Sequence, residues 1–257
     1  MRQTRRQFLT TTAATAGTVT ILPFAALAAG EEGHVFETSG GAITVHPVAH
    51  ASFVMETPVG TIYCDPVGEP ASYADLPEPD LILITHEHGD HFNAETLAAL
   101  VGENTRLLTN PAVYSKLPEA LMTAAEEIGN GGTTEWNGLP IEAIPAYNLT
   151  EDRLNFHPQG RDNGYVLGFD GFRVYISGDT EDIPEMRALQ DISLAFVCMN
   201  LPFTMDVTQA ASAVAEFKPG YVYPYHFRGR DGGTQDPAEF AQLIGDGIEV
   251  KMGDWYA

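Results

Sequence analysis

A short string of histidine and aspartate residues constrains this chain more than any other feature of its sequence. The string covers residues 85–91 and reads THEHGDH, directly after the continuous apolar run Leu81–Ile84. Such a run indicates a strand that is buried on both faces. Imidazole and carboxylate groups are the side chains that bind zinc and similar divalent ions. The sequence therefore predicts a metal-binding loop at the end of a buried strand, with Gly89 allowing the tight turn.

The rest of the pattern predicts two β-rich halves with interspersed helices. Strands are expected over residues 42–48, 52–57, 61–64, 81–84, 106–109, 141–146, 163–169, 173–177, 194–197 and 221–224. Helices are expected over residues 93–100, 184–189, 207–217 and 237–244. Two such halves favour an α/β fold in which two sheets pack face to face and helices cover their outer faces. No linker or low-complexity segment interrupts the chain, so residues 29–257 are expected to form a single domain.

The charge of the chain excludes some classes of partner. The 35 acidic residues outnumber the 13 lysines and arginines, which gives a formal net charge of −22. Nucleic acids and anionic membrane surfaces are also negative and would be repelled. We therefore expect a small-molecule substrate, with no nucleic-acid partner.

The first 28 residues are predicted to be an export signal. Residues 4–9 read TRRQFL, a twin-arginine pattern, and a modestly apolar stretch ending in small residues follows. This stretch is too short and too polar for a membrane anchor. We expect export by the twin-arginine machinery to the periplasm or medium, with a mature chain beginning at Ala29. Although that compartment permits disulfides, Cys64 and Cys198 lie in apolar strand-like runs and are expected to be buried thiols.

Other aspartate and histidine residues stand before and after the metal-binding string in a characteristic order. Asp65 ends a predicted strand before the string, Asp179 stands in the segment SGDT, and His226 stands in PYHF. With the HxHxDH string, this order resembles that of the metallo-β-lactamase-fold hydrolases over residues 34–257. The segment HASF at residues 50–53 is similar to the branch of ascorbate-6-phosphate-lactonase-like proteins. The resemblance implies a four-layer αβ/βα sandwich, the metallo-β-lactamase fold.

The resemblance also implies a site for two divalent metal ions per chain. The expected ligands are His86, His88 and His157 for one ion, Asp90, His91 and His226 for the other, and Asp179 bridging both. Asp65 and His50 are expected to contact the ligands without binding metal. The histidine ligands favour Zn²⁺, with Mn²⁺ and Fe²⁺ as alternatives. A hydroxide between the metals, oriented by the catalytic residue Asp90, would be the nucleophile, because paired Lewis acids lower the pKa of water.

One ligand position departs from the family pattern. The third motif of the family has a histidine after the strand that here ends near Ala146, and this chain has Asn148 there. Asparagine is a poor zinc ligand beside imidazole. We therefore assign the role to His157, in the nearby segment NFHPQG. The alternative is that His157 lies on a surface loop and that the first site is weakened or missing.

The substrate is the least defined part of the sequence analysis. Arg161, Arg228 and Tyr225 are close to expected ligands in the chain and are candidate substrate-binding residues. An arginine near the site could bind a carboxylate or phosphate group, or could simply be a solvated loop residue. We expect hydrolysis of a small ester, lactone or phosphodiester. The alternatives are a zinc β-lactam hydrolase, a diiron oxidoreductase, which His88 disfavours, and a non-catalytic metal-binding protein.

The assignment of His157 predicts different behaviour for two variants. His157→Ala should lower both activity and metal content, the latter by about one ion per chain, because it removes a ligand. Asn148→Ala should leave the metal content unchanged. Elemental analysis of both purified variants checks this prediction, and the reverse pattern would contradict it.

Overall fold

A computed structural model describes residues 33–229 and 234–256 of the chain. Within these residues it contains two seven-stranded sheets. The first sheet consists, in spatial order, of β1 (His34–Thr38), β2 (Gly41–Ala49), β3 (Ser52–Thr57), β4 (Gly60–Cys64), β5 (Leu81–Ile84), β6 (Arg106–Thr109) and β7 (Ala125–Glu127). The second consists of β8 (Thr133–Trp136), β9 (Leu139–Ala146), β10 (Asp162–Phe169), β11 (Phe172–Ile176), β12 (Ile192–Cys198), β13 (Tyr221–Tyr225) and β14 (Glu249–Val250). The residues of the predicted export signal lie outside the described part of the chain.

The two sheets share one layout. Strands β1 to β4 pair antiparallel, and β4 to β7 continue as parallel neighbours. Likewise, β8 to β11 are antiparallel and β11 to β14 are parallel. The segments that follow β4, β5, β11, β12 and β13 therefore leave parallel strands at their carboxyl ends, where loops of such sheets usually carry function.

The described part of the chain contains six α-helices, and two of them illustrate how they begin at capping side chains. The six helices are α1 (Ala94–Leu100), α2 (Pro111–Tyr114), α3 (Glu119–Met122), α4 (Pro184–Arg187), α5 (Val207–Phe217) and α6 (Pro237–Ile244), with 3-10 turns at Pro70–Tyr73 and Glu151–Arg153. The side chain of Asn93 accepts hydrogen bonds from the first turn of α1, and Asp206 forms a capping box with Gln209 at α5. None of the described helices is long and apolar enough to cross a membrane.

The core explains why β5 is apolar at every position. Leu81 and Leu83 join the large cluster between the sheets, whereas Ile82 and Ile84 join a second cluster with Leu97 of α1. Because side chains alternate along a strand, both faces of β5 are covered. The expected α/β sandwich is confirmed, with sheets packed face to face and helices outside.

Aromatic stacking joins the two sheets. The ring of Phe53 in β3 stacks on Phe196 in β12 at 4.0 Å, and Phe196 stacks on Tyr223 in β13 at 5.0 Å. Cys64 and Cys198 are buried and free, as expected. Short elements at the sheet edges, such as β1, β7 and β8, were not predicted. They are partly exposed and lack a clear apolar periodicity.

Candidate metal centre

The buried carboxylate of Asp65 anchors the histidine-rich loop at its first and last residues. Asp65 follows β4, next to β5, and its backbone is in the left-handed region with φ 44°. Its Oδ1 accepts a hydrogen bond from the Thr85 N–H at 2.7 Å, and its Oδ2 accepts one from the Thr85 hydroxyl at 2.7 Å. The same Oδ2 atom lies 2.7 Å from Nδ1 of His91. The structure thus places Asp65 behind the ligands, as the sequence predicts.

One group of candidate ligands contains three histidines. The ligand atoms of His86, His88 and His157 lie within 4.8 Å of one another. Nε2 of His86 is 3.1 Å from Nδ1 of His88. His157 is 1% exposed, and its Nδ1 is 3.1 Å from Oδ2 of Asp162. The structure therefore brings together the three residues that the sequence assigns to the first ion, and His157 is not a surface residue.

Asn148 has a different environment. Its side-chain amide donates to the backbone carbonyls of Arg153 and Phe203, at 2.9 and 2.7 Å. Its backbone N–H donates to the carbonyl of His157 at 2.8 Å. Asn148 therefore ties together the loops beside the site.

Two further groups lie beside the first one. They consist of His50, Asp90 and His226, and of His86, His91 and Asp179. The sequence analysis places His91 with Asp90 and His226, but the structure groups its ligand atom with those of His86 and Asp179. All seven expected ligands, together with His50, therefore converge on one region. The ligands expected for the second ion are divided between two groups, because His91 lies with His86 and Asp179.

Asp179 lies between these groups. Its Oδ1 atom is 3.4 Å from Nε2 of His91 and 3.4 Å from Nε2 of His226. Its Oδ2 atom is 3.4 Å from Nε2 of His157. One carboxylate thus faces a histidine from each of the three groups, which is the arrangement expected of a bridging ligand.

The buried polar atoms of this region fit a metal centre. His91 Nε2, Asp179 Oδ1 and His226 Nδ1 are buried and have no hydrogen-bond partner within the described residues. Buried polar groups in proteins normally have partners, so unpartnered ones call for an explanation. For His91 Nε2 and Asp179 Oδ1, which face each other, a divalent cation would supply the missing partner. The donor set of imidazoles and carboxylates suits zinc or a similar ion.

The protonation of the ligands also suits a cation. Burial lowers the pKa of His86, His88 and His226, which keeps these imidazoles neutral at neutral pH. Burial alone would raise the pKa of Asp90 and Asp179, but neighbouring histidines outweigh it and hold both pKa values below their ordinary range. Neutral imidazole and ionised carboxylate are the forms that bind metal.

His91 is the exception among the histidines. Burial lowers its pKa, but the carboxylates of Asp179 and Asp65 outweigh burial and raise it well above its ordinary value. Without a cation, His91 therefore balances the negative charge of these two buried carboxylates. A metal ion bound at its Nε2 would take over that charge and displace the proton.

A cavity of about 640 Å³ opens onto the candidate ligands. Its walls include Phe156, Phe203, Asn200 and Arg228, in addition to ligand residues. The rings of Phe156 and Phe203 meet edge to face at 5.0 Å. The amide Nδ2 of Asn200 lies 3.1 Å from Nε2 of His226.

Asn200 was not among the residues predicted from the sequence, although its position just after a strand could have indicated it. Asn200 follows the end of β12 by two residues, and Asp179 and His226 likewise come within three residues of the ends of β11 and β13. Polar residues after adjacent parallel strands meet at one sheet edge. Phe156 and Phe203 gave no comparable signal, because single aromatic residues in loops have many roles.

Two residues expected to bind the substrate, Tyr225 and Arg161, are not among the residues that line the cavity. Tyr225 is fully buried, 5.8 Å from the ring of Trp255, because alternation along β13 directs it into the core. Arg161 does not line the cavity either: its guanidinium donates to Asp162 at 2.6 Å and to the Phe156 carbonyl at 2.7 Å. Arg161 thus holds the carboxylate that contacts His157. Both expectations are corrected. The third residue, Arg228, is exposed and lines the cavity.

Comparisons with known proteins agree with this geometry. A family model described as "Beta-lactamase superfamily domain" matches residues 44–226. A UPF0173 metal-dependent hydrolase from Thermococcus onnurineus is 36% identical over 220 residues, which cover 81% of this chain and 95% of that protein.

Two solved structures are similar in fold. One, of a protein assigned as a metal-dependent hydrolase from Parabacteroides distasonis, has a TM-score of 0.79 and 40% identity, covering 88% of this chain and 99% of that one. The other, of Igni18, a metallo hydrolase from Ignicoccus hospitalis, has a TM-score of 0.68 and 23% identity, covering 82% of this chain and 94% of that one. The chain therefore belongs to the UPF0173 metal-dependent hydrolases of the metallo-β-lactamase superfamily.

Proposed function

We propose that this hydrolase works with two divalent ions, Zn²⁺ in the first instance, and cleaves a small ester, lactone or phosphodiester that carries an anionic group. The observation that carries the proposal is the position of Asp179. Its two carboxylate oxygens face His157 of the first ligand group and His91 and His226 of the others, each at 3.4 Å. A single carboxylate between ligand groups is suited to hold two cations close together.

The residues of the site would divide the work of hydrolysis. Bound divalent ions supply Lewis acidity, which activates water and stabilises negative charge on the attacked group. Asp90 stays ionised and, lying on the cavity wall, can accept a proton from water or orient it. Asn200 presents its side-chain amide to the same cavity and can donate a hydrogen bond to an oxygen that gains charge.

The proposal of an anionic substrate depends on the surroundings of Arg228. Five other arginines of the described chain pair with carboxylates, namely Arg106, Arg153, Arg161, Arg173 and Arg187. Arg228 has no carboxylate partner among the described residues, and it lies at the cavity with its guanidinium 4.2 Å over the ring of Tyr256. In so acidic a chain, an arginine without an acidic partner at a metal site is suited to a substrate carboxylate or phosphate.

The apolar part of the substrate would lie against Phe156 and Phe203, whose rings meet edge to face in the cavity lining. Phe156 is next in the chain to His157 of the first ligand group, whereas Arg228 is joined to His50 of another group through the hydroxyl of Tyr256. We propose that the substrate extends across the cavity from Arg228 to these two rings. The similarity of residues 50–53 to ascorbate-6-phosphate-lactonase-like proteins supports including lactones and phosphate-bearing compounds among the candidates.

Metal content and a substrate panel test this function. Protein purified without chelator should contain about two ions per chain, and activity on at least one ester, lactone or phosphodiester should disappear with a chelator and return with Zn²⁺. The panel includes nitrocefin as a β-lactam. Hydrolysis of nitrocefin alone would contradict the proposed substrate class, and metal-free activity would contradict the mechanism.

The role of Arg228 predicts a selective defect. Arg228→Ala should raise KM for a carboxylate-bearing ester about 10- to 100-fold, because a charge-assisted hydrogen bond contributes about 1.5–3 kcal/mol. KM for the matching neutral ester should change little. Arg173→Ala, which removes an arginine paired with Glu142, is the control. Equal effects of Arg228→Ala on both esters would contradict the assignment.

We further propose that the hydrolase is exported, by the twin-arginine machinery, to the periplasm or the medium. The support is the TRRQFL segment and the apolar stretch that follows it. When the full chain is expressed in a bacterial host, the periplasmic fraction should contain a processed protein that begins at Ala29. Replacing Arg5 and Arg6 with lysine keeps the charge but should leave unprocessed protein in the cytoplasm. Processing of this variant at wild-type levels would contradict the proposal.

A further inference from the structure

We infer that His50 is itself a ligand of the second metal position, and that Tyr256, near the end of the chain, holds it in the ligating orientation. The sequence analysis gives His50 only a supporting role, and the motifs of the fold do not include it among the ligands. The inference rests on the dinuclear centre proposed above. It adds His50 to the expected ligands of the second ion, Asp90, His91 and His226, with Asp179 shared.

The ring of His50 is in the position of a ligand. Its Nε2 atom is 3.3 Å from Oδ2 of Asp90, and Nε2 of His226 is 3.5 Å from the same oxygen. The ring centroids of His50 and His226 are 3.9 Å apart. Two imidazole nitrogens and one carboxylate oxygen therefore lie within 4.8 Å of one another, and these are ligand types that would suit a zinc ion.

The other ring nitrogen of His50 is held as in metal-binding histidines. Such histidines usually have their second nitrogen fixed by an oxygen atom, which sets the tautomer and the ring orientation. In this centre, Nδ1 of His91 faces Asp65 at 2.7 Å and Nδ1 of His157 faces Asp162 at 3.1 Å. Nδ1 of His50 likewise lies 3.0 Å from the hydroxyl of Tyr256. His50 thus has the same two-sided arrangement as His91 and His157.

The backbone of His50 is fixed by hydrogen bonds on both sides. His50 lies in the turn between β2 and β3 with φ 54°, in the left-handed region that histidine, asparagine and aspartate adopt more often than other non-glycine residues. Its N–H donates to the carbonyl of Trp255 at 3.1 Å, and its carbonyl accepts from the N–H of His226 at 3.2 Å. The hydrogen bonds join His50 both to a proposed ligand and to the segment that carries Tyr256.

Tyr256 also contacts the proposed substrate anchor. The backbone N–H of Arg228 donates to the Tyr256 hydroxyl at 3.2 Å, and the Arg228 guanidinium lies 4.2 Å over the ring. One phenol therefore contacts both the candidate ligand and the candidate anion-binding side chain. Tyr256 is a positioning residue in this arrangement, because it acts through His50 and Arg228.

Cobalt binding tests the assignment. Metal-free protein is titrated with Co²⁺ against a chromophoric chelator, and hyperfine-shifted imidazole N–H resonances are recorded by NMR. His50→Asn suits the left-handed backbone, because asparagine tolerates positive φ. It should weaken the second Co²⁺ more than about 100-fold, beyond the loss typical of a supporting residue, and remove one shifted resonance. Tyr256→Phe should weaken the second ion about 10- to 100-fold and keep that resonance.

His46→Asn is the matched control. His46 lies in β2, pairs with Glu56 at 2.8 Å on the other side of the turn, and is absent from the cavity lining. This variant should bind both ions as the wild type does. If His50→Asn retains every shifted resonance and wild-type affinity for the second ion, the inference is overturned.

A failure of the dinuclear centre is distinguishable from a failure of this inference. If the wild type binds a single Co²⁺, the proposed two-metal function is wrong. His50 is then still a ligand if His50→Asn removes one of the shifted resonances of that ion, and it is not a ligand if all resonances persist.

Discussion

The carboxylate of Asp65 is the interaction on which the candidate metal centre depends. It is fully buried at the end of β4, and it uses both oxygens to hold Thr85 and His91, the two ends of the histidine-rich loop. Burying a charge without partners would be costly, so the buried carboxylate favours the loop conformation that brings Thr85 and His91 to it. The spacing between Thr85 and His91 is thereby fixed, and the ligands in between are directed toward Asp179 and the second sheet.

Four of the many acidic residues of the chain lie at this centre. Asp65, Asp90, Asp162 and Asp179 all lie within contact distance of a histidine of the site. Without a cation, the carboxylates of Asp179 and Asp65 raise the pKa of His91, whose proton then balances part of their charge. A bound divalent ion would replace that proton as the counter-charge. The centre is therefore arranged so that metal binding relieves an electrostatic imbalance that folding creates.

Much of the fold and of the candidate site could be predicted from the sequence. The continuous apolar run of β5 indicates a buried strand, the apolar face and the cap of α5 indicate a helix, and the structure contains both. His157 could be assigned because a poor ligand, Asn148, occupies the expected position. Tyr225 could not be placed, because adjacency in sequence to His226 says nothing about which face of β13 a side chain occupies. Tyr256 is distant in the chain from every ligand, and only tertiary packing reveals its contact with His50.

The contacts of Tyr256 show how the segment that carries it is built into the site. Its hydroxyl lies 3.0 Å from Nδ1 of His50 and accepts a hydrogen bond from the N–H of Arg228, and the Arg228 guanidinium lies over its ring. A substrate anion bound by Arg228 would therefore be held by a side chain that packs on the same phenol that orients His50. Substrate binding and the geometry of the second metal position would then be linked through one side chain, and a displacement of Tyr256 would disturb both together.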